Sequence, residues 1–203
     1  MQYNIIPSDE IIQKAIASLK SNGIEAMVVE NGEAAKAKTL ELIPAQSEVM
    51  NMTSVTLETI GIPKEINESG RYASVRNQLN SMDRGTQSSE MQKLGAAPLY
   101  AIGSVHAVTQ EGQVVIASNT GSQLPAYAYG AAKVIWVVGA QKIVKDLDAA
   151  FKRIYEYVLP LESERARKAY GVEGSNVSKL LIVNEEIAPG RIVIIFVKEA
   201  LGF

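Results

Sequence analysis

Apolar and polar positions along this chain switch repeatedly between a helical and an extended period. Ile12, Ala15, Ile16 and Leu19 recur at helical spacing. Ser8 stands where an N-cap belongs, Asp9 and Glu10 lie where a helix N-terminus favours acidic groups, and Asn22-Gly23 supplies the stop. The short apolar run 26–29 then predicts a strand, and Asn31 caps a second, alanine-rich helix that ends before Pro44. Another strand is expected over 48–52. Helix, strand, helix, strand is the rhythm of a parallel sheet flanked by helices.

Further along, 72–79 and 87–94 have helical patterns, separated by the polar break Asp83-Arg84-Gly85. Two β-rich runs, 100–109 and 113–118, flank Glu111-Gly112 and predict a hairpin. A helix is expected over 124–132. Residues 134–138 read VIWVV, continuously apolar, as in a strand covered on both faces, which puts Trp136 in the core rather than against a ligand. Leu147, Ala150, Phe151, Ile154 and Val158 trace one face of an amphipathic helix. That assigns Lys145, Asp146 and Asp148, and the pair Lys152 and Arg153, to an exposed face. After Pro160, the mixed charges Glu162, Glu164, Arg165, Arg167 and Lys168 fit a solvated helix, with a subunit contact as the alternative. The runs 180–183 and 192–197 are joined across Pro189-Gly190, a pair suited to a type II turn. The fold expected is α/β: a mainly parallel Rossmann-like sheet with helices on both faces, plus a β-hairpin. Strands 48–52, 114–117 and 134–138 should belong to that sheet. With no internal repeat or linker, residues 1–203 read as one domain.

Composition removes several kinds of chemistry. The chain has no cysteine, so it can build no disulfide, thiolate zinc site, cysteine-ligated iron–sulfur cluster or thiol nucleophile from its own residues. One histidine and no dense carboxylate motif give no expectation of a metal, and no cofactor is expected. Twenty basic against 22 acidic side chains, net −2, argue against nucleic acid as a partner, because a surface that tracks phosphates carries a basic excess. The longest apolar runs, 134–139 and 192–197, are too short to cross a bilayer, so no membrane association is expected. Residues 1–10 lack the basic and apolar regions of an export signal, and a cytoplasmic location is expected.

From residue 97 onward the motifs resemble one family. The run Ala101-Ile102-Gly103-Ser104-Val105-His106-Ala107-Val108-Thr109, followed by Glu111-Gly112, is similar to a small residue, Ser-Val-Asn-Ala-apolar-Thr and an acidic-Gly turn. Asn119-Thr120-Gly121-Ser122-Gln123 stands where that pattern has a Thr-Gly-Asn-Arg-like loop. Lys133-Val134-Ile135-Trp136-Val137-Val138-Gly139 and Gln141-Lys142-Ile143-Val144-Lys145-Asp146-Leu147 continue the match. Upstream, residues 52–61 resemble a Ser-x-Thr-Leu-x-x-x-Gly turn, and Arg191 through Leu201-Gly202-Phe203 resembles the closing strand and tail. Together these motifs resemble the LUD (lactate-utilisation) domain family over roughly 8–203. The resemblance implies a fold similar to ribose-5-phosphate isomerases and CoA transferases. It also implies a role beside companion subunits of a lactate-oxidising system, which do the iron–sulfur chemistry. Two departures stand out: His106 replaces an Asn common in relatives, and Ser122-Gln123 replaces Asn-Arg, removing a bidentate anion anchor.

Two loops carry the candidate ligand chemistry. Thr53, Ser54 and Thr56 follow a strand and open a helix, where N–H groups and hydroxyls gather anions; capping by Thr53 or Ser54 is the alternative. Asn119, Thr120, Gly121, Ser122 and Gln123 follow another strand, with a turn and N-cap as the alternative. Ser104 and His106 are candidates to join them, with His106 as general acid or base or as a hydrogen-bonded cleft residue. Glu58 and Glu111 are carboxylates without a marked partner, and none can be singled out as the nucleophile of a CoA transferase. The reading is a protein that binds a small anionic metabolite, a hydroxy- or keto-acid. A free-standing enzyme on a phosphosugar or CoA ester, and a scaffold for partner subunits, are the alternatives. Homo-oligomer formation stays open.

Overall fold

Six parallel strands form the central sheet of the computed structural model, which describes residues 3–203; Met1 and Gln2 of the N-terminal segment lie outside the described residues. In chain order the strands are β1 (Glu25–Val29), β2 (Glu48–Asn51), β3 (Ala73–Ser74), β4 (Tyr100–Gly103), β5 (Ala107–Thr109), β6 (Val114–Ser118), β7 (Lys133–Gly139), β8 (Ile143–Val144), β9 (Lys179–Val183) and β10 (Ile192–Val197). The helices are α1 (Asp9–Ser21), α2 (Gly32–Glu41), α3 (Val55–Thr59), α4 (Ile62–Glu68), α5 (Val75–Ser81), α6 (Ser88–Ala96), α7 (Leu147–Arg153) and α8 (Leu159–Tyr170). The central order is β1-β10-β7-β4-β2-β3, and β8-β5-β6-β9 makes a second, mixed sheet.

The two middle strands explain their unbroken apolar sequences. Side chains alternate across a strand, so Ile192, Ile194 and Phe196 with Val134, Trp136 and Val138 fill one face, and Val193, Ile195 and Val197 with Ile135 and Val137 fill the other. The first face packs against Ile12, Ile16 and Leu19 of α1 and against Val108, Val114 and Ile116 of the second sheet. Ala35, Leu57, Ile62 and Ile66, from α2, α3 and α4, cover the second face. The outer side of the second sheet, Ala107, Val115 and Ala117, packs on Ala150 and Ile154. Trp136 is fully buried, edge-on to Tyr127 at 5.3 Å.

Several expectations change here. Residues 114–118 do not join the parallel sheet: β6 runs antiparallel to β5 and β9 in the second one. All five of its residues are buried because the strand is sandwiched between the core and the α7 layer, and a strand covered on both faces has the same pattern in either sheet. The run 100–109 divides, with β4 in the central sheet and only β5 in the hairpin, which turns through Gly112 at φ +84°. The stretch 180–197 likewise links two sheets rather than forming a pair, turning at Gly190 with φ +69°. In place of a helix over 124–132 there is one wide π turn, Ala126–Gly130, pinned where Gly130 lies against the Ala96 carbonyl. Asn31 caps α2 through a bond from the Ala34 amide, whereas the Ser8 side chain makes no capping bond.

Candidate functional site

The parallel strands all end on one edge, and the chain changes direction there. From β2 it passes outward to β3, whereas from β4, its neighbour, it passes inward to β7. Such a divergence opens a crevice at the strand ends, the usual ligand position in open α/β sheets. Residues 52–56 leave β2 at this edge, Ser104 leaves β4, and a tight turn, Ala140–Lys142, leaves β7. That turn carries Lys142 into the crevice, where the side chain is 2% exposed. Its Nζ lies 3.2 Å from each of Thr56 Oγ1, Ser104 Oγ and the Val105 carbonyl.

The tail after β10 closes the cluster. Thr56 Oγ1 donates to the Leu201 carbonyl at 3.1 Å, and Gln141 Nε2 donates to the carbonyls of Leu201 and Gly202 at 3.0 and 3.3 Å. Gly202 has φ +62°, and a Cβ there would stand 2.5 Å from Thr56 Oγ1 and 3.5 Å from Lys142 Nζ. Leu201 also lines a shallow cavity of about 440 Å³, shared with Asn31, Lys36, Thr59 and Glu199. The tail therefore stands between open solvent and the amine.

Arg153 corrects the exposed face expected for Lys152 and Arg153. Lys152 is exposed, but Arg153 has 0% exposure, since it follows Ala150 by three positions and shares its buried stripe. Its Nη1 donates to the His106 carbonyl at 2.6 Å, its guanidinium lies 5.4 Å from the centre of the Tyr157 ring, and Nε and Nη2 make no hydrogen bond. Burial pushes Arg153 down to about 10, against the opposing fields of Tyr157 and Tyr3. Burial, reinforced by the Arg153 charge, holds Lys142 well below the ordinary lysine value. Among the described residues, neither of these basic side chains takes part in an ion pair.

The residues singled out from sequence separate into two groups. Thr56, Ser104 and the backbone of Val105 and His106 make the hydrogen bonds to Lys142 and Arg153. Thr53 is exposed, and Ser54 caps α3 by accepting from the Leu57 amide at 3.4 Å. With five residues, α3 has little dipole to offer an anion, so the useful hydroxyl of this segment is Thr56. His106 accepts from the Ala117 amide at Nδ1, 3.1 Å away, which leaves Nε2 as the protonated nitrogen of a neutral ring. Burial, then the charges of Lys142 and Arg153, lowers its pKa to about 3. Asn119, Thr120, Gly121, Ser122 and Gln123 form a turn bonded largely within itself: Thr120 Oγ1 to Ser122 Oγ, and Ser118 Oγ to both the Gly121 amide and Gln123 Oε1. Asn119 accepts from Ser178. The β5–β6 pairing, with Ala117 beside His106, puts this turn at the Ser104 end of the hairpin. Among the described residues no hydrogen bond links it to 53–56. Glu58 and Glu111 are both exposed.

The model of the LUD domain matches residues 12–197 of this sequence. The chain belongs to the LUD-domain family. A solved structure described as a DUF162 family protein from Deinococcus radiodurans supports the fold: TM-score 0.58 at 13% identity, over 94% of this chain and 99% of that one. No curated protein matches the sequence. Among the described residues of this LUD domain, no helix is long and apolar enough to cross a membrane, and no three His, Asp or Glu side chains converge as metal ligands.

Lys142 and Arg153 are the site residues that sequence reasoning passed over. Lys142 did carry a signal: with Gln141 it is the polar interruption between the apolar β7 and Ile143-Val144, directly after a strand end. Arg153 carried a weaker one, its place three residues after Ala150 on the apolar face of α7.

Proposed function

We propose that this LUD domain binds a small anionic metabolite, a hydroxy- or keto-acid, at Lys142, Thr56 and Ser104, as a cytoplasmic component of lactate or related organic-acid utilisation. One observation carries the reading: two buried basic side chains, Lys142 and Arg153, adjoin at the ligand-binding edge of a parallel sheet, and among the described residues neither is paired with a carboxylate. Burying the unpaired Arg153 charge costs several kcal/mol, a cost that an arriving carboxylate offsets, while Lys142, Thr56 and Ser104 offer that carboxylate hydrogen-bond partners. In this reading the positive charge of Arg153 takes the place of the Arg missing from the 119–123 loop. That loop, on the Ser104 side, is proposed as the outer wall of the same site, and movement of the tail at Leu201 and Gly202 as the way in.

A free-standing CoA transferase, which would need a nucleophilic glutamate in the cleft, gains no support from Glu58 or Glu111, both of which are exposed. Calorimetric titration with L-lactate and pyruvate, using inorganic phosphate as control, tests the proposal. One saturable site is expected, weakened tenfold or more by Lys142→Met, since hydrogen bonds to charged groups are worth about 1.5–3 kcal/mol. The double change Thr120→Val with Ser122→Ala should weaken binding severalfold without moving Tm. Absence of binding by either acid contradicts the reading.

A further inference from the structure

We propose that Lys142 captures its ligand covalently: Nζ, held between Thr56 Oγ1 and Ser104 Oγ, condenses with the carbonyl carbon of a 2-oxo acid to form an imine. This deepens the small-acid reading of the site and rests on it.

Hydrogen-bond bookkeeping around the amine favours its neutral form. Thr56 Oγ1 spends its own hydrogen on the Leu201 carbonyl, so toward Nζ it accepts. The Val105 carbonyl can only accept. Two N–H bonds of a neutral amine satisfy these two partners. Ser104 Oγ makes no other hydrogen bond among the described residues, so its hydrogen is free to point at the nitrogen lone pair. A neutral lysine is thus fully satisfied: two hydrogens given, one received. Burial, the absence of a carboxylate and the nearby Arg153 charge all disfavour the ammonium, as the downward direction of its pKa reflects. A desolvated, uncharged lysine is the nucleophilic form.

The condensation balances without a redox partner. The Nζ lone pair bonds to the carbonyl carbon, and the carbonyl oxygen takes up a proton as the nitrogen loses one. Ser104 Oγ is placed to relay it. The resulting carbinolamine loses its hydroxyl with a second proton as water, leaving a carbon–nitrogen double bond. Arg153, buried and with two nitrogens unpartnered, supplies the positive field that favours an acid over a neutral ketone. A hydroxy acid lacks the carbonyl, so it can bind here but not condense.

The test uses the full chain, pyruvate and borohydride at pH 7, followed by peptide mass mapping and by calorimetry with pyruvate on the same sample. One adduct is expected, on Lys142, with a mass gain equal to that of the acid less one oxygen atom. L-lactate should give none. Lys142→Arg should lose the adduct, while Lys145→Met, altering an exposed lysine 85% open to solvent, should keep it. The wild-type peptide map locates the adduct even if a Lys142 variant folds poorly. Saturable pyruvate binding without an adduct on Lys142 overturns covalent capture and leaves the binding site standing. Adducts spread over exposed lysines overturn it as well. No binding of pyruvate or lactate overturns both readings.

Discussion

Lys142 Nζ and Thr56 Oγ1 lie 3.2 Å apart, although 86 positions separate them in the chain. The contact joins the turn after β7 to the short helix after β2, on either side of β4, which ends just before Ser104. It gives the strand-end crevice a buried amine.

Lys142 makes stability depend on pH in a defined direction. Its folded pKa lies below the ordinary 10.5, so between those two values the unfolded chain binds a proton that the folded chain does not. Stability therefore falls as pH is lowered from 10.5 toward the folded value. Lys142→Met removes this slope. Urea unfolding at pH 7 and pH 9.5 (about the range in which an unfolded lysine is charged) should show the wild type gaining stability relative to the variant as pH rises. A difference that stays constant would mean that Lys142 is charged in the folded state.

His106 governs the acid side. Its folded pKa of about 3, against an ordinary 6.5, means that unfolding takes up a proton between these values and that stability is lost as pH falls through the window. Each unit corresponds to about 1.4 kcal/mol. His106→Asn keeps an acceptor for the Ala117 amide but cannot titrate, so its stability should decline less between pH 6.5 and pH 4. Parallel declines in the two proteins would contradict the assignment.

The fold could be read from sequence wherever burial was one-sided or turns were marked. Ile12, Ile16 and Leu19 announced α1, and Glu111-Gly112 announced the hairpin. Sheet membership of 114–118 was not legible, because total burial erases the alternation that separates one layer from another. The site was half legible. Polar loops after strands drew attention to Thr56 and Ser104, but a single lysine amid apolar residues has the look of a surface charge. Arg153, next to exposed Lys152, was hidden because a helix turns far enough in one residue to move from solvent to core.

Gly202 tests the tail as a cover. Gly202→Ala places a Cβ 2.5 Å from Thr56 Oγ1 and 3.0 Å from the Thr56 amide nitrogen, at φ +62°. Gly171→Ala, at φ +66° with nothing within 4 Å, imposes similar backbone strain without the clash. Positive φ alone costs an alanine about 1–2 kcal/mol. Gly202→Ala should exceed that in unfolding free energy and should make Lys142 acetylate faster with acetic anhydride, whereas Gly171→Ala should leave the labelling rate unchanged. Equal labelling in the two variants would show that the tail does not guard the amine.

The most direct test of a small-acid site at Lys142 is side-chain nitrogen NMR of the ¹⁵N-lysine-labelled protein during titration with L-lactate. The Lys142 resonance, assigned by its loss in Lys142→Met, should move saturably while the exposed lysines stay still. A Lys142 signal that is unmoved, or that drifts with the other lysines as ionic strength rises, would contradict the account.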